Sequence, residues 1–288
     1  TASYNYINYI GYRMIMKGCV CSMKPPLGSR MPNQSDGTNP AEPATIKKFV
    51  DQLPIPEILT TNRNCGCETR RRPLYSVEMR ETNHRFHRDF PVTKVWGYNG
   101  SCPGPTIEVE KDTAIQVEWI NNLPKKNLLP VDHTLHGTMD TPDVRTVVHL
   151  HGANVAADSD GHPEAWYAKN YSAVGQKFTR KIYEYTNHQP GGTLWYHDHA
   201  IGITRLNVYA GLAGFYLIRD QLEKRLKLPK DEYEIPLMIQ DKTFNEDCSL
   251  FYPFISTPPF TYPFPSSPSF FFFFTFPVIV KLFPFFFL

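Results

Sequence analysis

Short apolar runs with a period of two fill the middle of this chain. In Ile115-Gln116-Val117-Glu118-Trp119 the apolar residues share one face and the polar residues the other, as in a half-buried strand. Ile107 and Val109 repeat the pattern after a Pro103-Gly104-Pro105 turn. Phe178 to Tyr185 forms another candidate strand. The run Gly211 to Ile218, apolar with small residues, fits a strand packed on both faces. Tyr233 to Ile239 opens a further strand after the charged stretch EKRLKLPKDE, which reads as a domain boundary. Gly, Pro, Asn and Asp punctuate the runs from residue 46 to about 253, and no internal repeat stands out. This pattern predicts an all-β sandwich.

The two ends differ from the middle. Residues 1–45 are polar and turn-rich (KPPLGSRMPNQSDGTNPAEPA) and are expected to be a disordered leader. Tyr4 to Met16 is rich in tyrosine and asparagine and lacks the clean apolar core of a secretory signal. The chain opens on Thr1, which suits a processed product or a fragment. Residues 254–288 are dominated by Phe, Pro and Ser and end PFFFL. Phe270 to Leu288 carries a single charge, Lys281, but Pro277 and Pro284 interrupt it, so a membrane span is disfavoured. Phe, Ser, Pro and Leu all have codons that begin with two pyrimidines. A tail built almost only of them resembles a translated pyrimidine-rich non-coding stretch, with the true coding sequence expected to leave the chain near Tyr252 or Pro253.

Charge narrows the partners. Over 288 residues, Lys and Arg number 30 against 28 Asp and Glu, a net charge of +2. That balance gives no reason to propose nucleic acid or an anionic membrane, and Arg70-Arg71-Arg72 reads as a solvated turn. Of the cysteines, Cys19 with Cys21 and Cys65 with Cys67 form C-x-C pairs, not the C-x-x-C of a zinc knuckle, and Cys102 and Cys248 stand alone.

The histidines change the picture. Four stand in two His-x-His pairs, His149 with His151 in VVHLHG and His197 with His199 in LWYHDHA. On a strand, residues i and i+2 point to one face, so each pair projects two imidazoles together. Two such strands side by side gather four, and imidazole suits copper, zinc, iron or nickel. Burial of four imidazoles without a metal would leave donors and acceptors to satisfy. Asp198, between two candidate ligands, faces the opposite side and reads as structural. His84, His87, His133, His136, His162 and His188 read as surface or packing residues.

With TVVHLHG, SDGHPEAWY and LWYHDHAIGITRLNVYAGLAGFYLIRD in place, the sequence resembles the multicopper oxidases, the family of laccases, bilirubin oxidases and ferroxidases, and among them the bacterial spore-coat laccases. The resemblance runs from about Lys48 to Pro253. It implies cupredoxin-like Greek-key β-sandwiches, the first over 46–222 and a truncated second one announced by a linker and first strand at 223–253. It implies that His149 binds a lone type 2 copper and that His151, His197 and His199 bind the paired type 3 coppers. Together these coppers form a trinuclear cluster that reduces oxygen to water with electrons from a small-molecule reductant. Asp160, in the SDG loop, matches an acid that family members hold near the cluster to deliver protons.

The chain also departs from the family. The cluster takes eight histidines, half from the first sandwich and half from a carboxyl-terminal cupredoxin domain. Only the first half is here, and the HCH-like motif of the type 1 copper is absent. The expectation is a laccase-like oxidase by family whose present chain does not turn over substrate alone. Two other readings compete with it: an inert, truncated copper-binding fragment, and a mononuclear zinc or cupin-type protein using the same four histidines. Family members lie on spore coats or are secreted, and no targeting segment here decides between compartments.

Overall fold

The computed structural model describes residues 47–61 and 72–252, together with the backbone of one strand at 276–281. The Cys19/Cys21 and Cys65/Cys67 pairs, the leader 1–45 and most of the Phe-rich tail lie outside the described residues.

Alternating apolar positions build two four-stranded sheets. The first has the order β2-β1-β4-β6, from β1 (Leu74–His84), β2 (Thr93–Tyr98), β4 (Ile115–Asn121) and β6 (Ile182–Tyr185). The second has the order β3-β8-β7-β5, from β3 (Gly104–Glu110), β5 (Val148–His151), β7 (Gly192–Asp198) and β8 (Ala213–Arg219). Both sheets are mixed: β1 runs parallel to β4 and β3 parallel to β8, while the other neighbours are antiparallel. The expected strand at 115–119 is β4, with Ile115, Val117 and Trp119 buried and Gln116 and Glu118 half-buried. The stretch from Phe178 yields only the four residues of β6, because Phe178 to Lys181 makes turn contacts with Gly175 and Tyr171 instead.

Aromatic side chains join the sheets. Tyr196 of β7 meets Tyr98 and Trp119 of the first sheet at ring distances of 4.9 and 5.1 Å, and Tyr185 meets Tyr216 at 5.9 Å. The Tyr196 hydroxyl donates to the Pro105 carbonyl at 2.6 Å. Its ring needs Gly214 beneath it, since a Cβ there would stand 2.3 Å from the ring.

Strand β8 is buried on both faces, as its apolar run predicts. Tyr216 and Ile218 enter the main core; Ala213, Phe215 and Leu217 form a second cluster with Met238 and the half-buried Trp195. Met238 comes from β9 (Glu234–Ile239), and β10 (Phe276–Lys281) pairs with β9 antiparallel.

Two short helices interrupt the strands. Helix α1 (Thr204–Ala210) follows the second histidine pair and ends at Gly211, whose φ is 129°. Helix α2 (Gln221–Leu226) occupies part of the charged stretch expected to be linker. Asp220 caps it by accepting from the Glu223 amide, and Lys227 ends it in the left-handed region. After β9 the chain returns to the first sandwich: Phe244, Cys248 and Leu250 sit in the main core. The Thr93 hydroxyl donates to the Cys248 carbonyl at 2.7 Å, and the Thr243 amide donates to the Tyr209 hydroxyl at 2.7 Å. Among the described residues no helix is long and apolar enough to cross a membrane.

Candidate metal centre

Antiparallel pairing of β5 with β7 sets the site. His149 lies directly opposite His197, and His151 opposite Trp195. Strand alternation puts all four on one face, and His199 follows just past the end of β7. The rings lie close: His149–His199 centroids are 4.8 Å apart and stacked, His151–His197 5.4 Å, His149–His151 5.5 Å, and His149–His197 and His197–His199 5.6 Å. The structure therefore brings together the four histidines that the sequence singles out. His197 is buried, His149 and His199 are half-buried, and His151 is exposed.

Backbone carbonyls orient three of the rings through Nδ1. His149 Nδ1 lies 2.6 Å from the Asp160 carbonyl, His197 Nδ1 2.7 Å from the Asp198 carbonyl, and His199 Nδ1 3.3 Å from the Gly161 carbonyl. A carbonyl only accepts, so each Nδ1 carries the hydrogen and each Nε2 keeps a free lone pair. Among the four, His151 alone has no carbonyl at Nδ1; that atom faces Nε2 of His197 at 3.2 Å. With the lone pair on His197 Nε2, His151 Nδ1 is the donor in the chain without metal.

Burial favours the neutral form of three of the imidazoles. Burial pushes His197 down to about 3, and neighbouring imidazoles add to the effect. Burial also lowers His151 and His199. Neutral imidazole is the form that binds metal, so the protein need not shed protons from these rings to hold a cation at neutral pH. Behind them Asp198 is fully buried and accepts from the Thr146 hydroxyl at 2.6 Å and the amides of Ala200 and Val147 at 3.0 and 3.3 Å. It holds the strand ends together on the face away from the cluster. Burial raises its carboxyl to about 6, with those hydrogen bonds opposing.

Asp160 sits at the rear of His149: its Oδ1 lies 3.4 Å from the same Nδ1 that its carbonyl engages. The remaining histidines have other partners or none of the site's. His84 packs on Phe86, His87 Nε2 lies 2.9 Å from the Lys47 carbonyl, and His188 Nδ1 lies 2.6 Å from Asp112. His133 reaches the Thr138 carbonyl, His162 Nδ1 accepts from the Glu164 amide, and His136 is exposed.

Sequence reasoning missed the residues that hold this frame. Trp195 stacks on His197 and His151 at 4.1 and 5.2 Å, both with an interplanar angle of 29°. Arg145 is fully buried and donates to the carbonyls of Pro142, Gly137 and Ile201, tying the 137–142 loop to the turn after His199. The WYHDH spacing placed Trp195 on the ligand face from the start, since it is i−2 from His197; an arginine cage of carbonyls leaves no such trace.

The donor set fits copper as far as it goes. Three imidazoles held with Nε2 inward, and a fourth whose Nδ1 faces one of them, are donors that suit a copper site. Among the described residues no three His, Cys, Asp or Glu side chains converge on one ion position.

Comparison with known proteins identifies the family. A family model described as multicopper oxidase matches residues 79–223. A laccase of Bacillus stratosphericus is 56% identical over 209 residues, covering 72% of this chain and 40% of that protein. A laccase of Bacillus subtilis (strain 168) is 53% identical over 212 residues, covering 73% of this chain and 40% of that protein. A crystal structure of laccase from Pediococcus acidilactici aligns with a TM-score of 0.55 and 25% identity, covering 73% of this chain and 39% of that one. The chain thus spans about two fifths of the length of the curated laccases it matches. On its matched domain, its sandwich and its paired histidines, the chain belongs to the multicopper oxidase family.

Proposed function

We propose that this chain supplies one face of a trinuclear copper site in a laccase-type oxidase, which couples one-electron oxidation of phenolic or related reductants to reduction of oxygen to water. The observation that carries the reading is the opposed pair of nitrogens, His151 Nδ1 and His197 Nε2, inside a cluster of four imidazoles. Two nitrogens at 3.2 Å share one hydrogen in the metal-free chain, and transfer of that hydrogen to the outer Nε2 of His151 would leave a lone pair on each for a cation. In this assignment His149 serves the type 2 copper, and His151, His197 and His199 serve the type 3 pair. Bound copper supplies the one-electron steps and the affinity for oxygen.

The chain's own residues orient and protect. The carbonyls of Asp160, Gly161 and Asp198 fix three rings with Nε2 inward. The Asp160 carboxyl, partly exposed and next to His149, would pass protons between solvent and the rim of the site. A carboxyl-terminal cupredoxin domain would bring the remaining histidines and the type 1 copper. Because no single ion position here gathers three donors, we expect these residues by themselves to bind copper without turning over substrate.

The test is copper binding by the full chain, followed by isothermal titration and electron paramagnetic resonance. Copper held by nitrogen donors, lost in His197→Ala and kept in His188→Ala, supports the reading. Equal retention in His197→Ala, or tight binding of zinc with no cupric signal, sinks it; the second result would favour a mononuclear zinc protein.

A further inference from the structure

We infer that Trp195 is the positioning residue for His151, taking the place of the carbonyl hydrogen bond that orients each of the other three imidazoles. The inference rests on the copper reading above. Three rings are pinned at Nδ1 by backbone oxygens. His151 cannot be pinned that way, because its Nδ1 is the atom turned into the cluster. An exposed imidazole with a free outer edge would rotate about its side-chain bonds and carry its donor nitrogen off target. Ligand histidines ordinarily owe their orientation to an outer partner at the second nitrogen. Here the partner is a ring face: the indole lies opposite His151 in the strand register and stacks on it at 5.2 Å and 29°.

The indole is itself held from behind. Across β7 and β8 it faces Phe215, and it packs on the cluster of Ala213, Phe215, Leu217 and Met238. It also stacks on His197 at 4.1 Å, so a single plane sets the angle of the two rings whose nitrogens oppose each other. His197 has a second restraint at the Asp198 carbonyl; His151 has only its inward contact with His197 among the described residues. Loss of the indole should therefore act through His151. A leucine preserves apolar burial on Phe215 and Met238 but offers no flat face, and a phenylalanine preserves a smaller one.

The experiment uses the full chain as Trp195→Leu, Trp195→Phe, His151→Ala and the double variant of Trp195→Leu with His151→Ala. Cuprous ion affinity is measured by competition with a chromogenic chelator, and near-ultraviolet circular dichroism checks that the tyrosine-rich core is folded. Trp195→Leu should weaken cuprous binding about 10- to 100-fold, Trp195→Phe by less, and Trp195→Leu should cost almost nothing further once His151 is alanine. Folded Trp195→Leu that binds as tightly as the wild type, or a loss undiminished in the His151→Ala background, overturns the inference. If Trp195→Leu does not fold, Trp195→Phe decides the same question. Nitrogen-15 imidazole spectra of the metal-free chain give a second readout. His151 should hold one tautomer, hydrogen on Nδ1, in the wild type and average between two in the Trp195 variants; an unchanged tautomer overturns the inference. If the wild type binds no copper, the copper reading fails and these spectra still decide the role of Trp195.

Discussion

Gly161 lies so close to Val148 that a Cβ on the glycine would stand 2.0 Å from the valine carbonyl oxygen. Its φ of 77° is also one that side chains resist. This contact presses the Asp160–Gly161 turn against β5, where its two carbonyls reach His149 and His199. We therefore expect Gly161→Ala to destabilise the fold by on the order of 3 kcal/mol and to weaken copper binding even where the chain stays folded. Denaturant unfolding and copper titration check both. A variant with wild-type stability and affinity would show that the turn relaxes freely.

Arg145 should behave as a clamp. Its guanidinium serves three carbonyls in the interior and lies over the Trp166 ring at 5.6 Å. Arg145→Met keeps the volume and strands those carbonyls, with an expected loss of on the order of 3 kcal/mol. Limited proteolysis should then cut the 132–142 loop before the strands. A cut pattern identical to that of the wild type would contradict the clamp.

Alkali should unfold this domain cooperatively through its phenols. Burial holds Tyr98, Tyr167 and Tyr185 well above the ordinary tyrosine range. A phenol raised in the folded state favours folding while it stays neutral, and that stability is lost as pH rises above about 10, where the unfolded chain ionises first. Absorbance at 295 nm should show an early phase from exposed tyrosines and a late one coincident with loss of circular dichroism. Smooth ionisation of every tyrosine in an intact fold would refute this.

Lys242 offers a second pH test with the opposite sign. It is buried; its ammonium donates to the Tyr209 carbonyl at the end of α1 and sits 4.5 Å from the Tyr209 ring. Burial still lowers it to about 8, with Cys102 and Asp241 opposing. Because the folded value lies below the ordinary 10.5, the fold bears the full cost of the charge below pH 8 and is relieved of it as pH rises towards 10.5. The difference in melting temperature between Lys242→Met and the wild type should thus shift in favour of the wild type between pH 8 and 10. A difference constant across that range would mean the lysine titrates normally.

The strands and the clustering of the paired histidines were legible because both depend on local period. Alternation marks β4 at Ile115, Val117 and Trp119, and the same alternation throws His149 with His151 and His197 with His199 onto one face. The helix α1 was not, since ITRLNVYAG is as apolar as a strand and is helical only because it caps the core past the histidine turn. Nor was the return of Phe244, Cys248 and Leu250 to the first core, or the service of Arg145 to residues 137, 142 and 201. Those contacts are set by tertiary placement and leave no periodic mark on the sequence.

The parallel pairing of β3 with β8 also dictates an order of events during synthesis. Ile107 must wait for Tyr216, about a hundred residues downstream, before its side of the histidine sheet can close. Both His-x-His segments leave the ribosome before that partner does. The nascent chain therefore displays its imidazoles to the surroundings while the sheet that aims them is still unfinished, and their ordered cluster forms at a later moment than their first exposure.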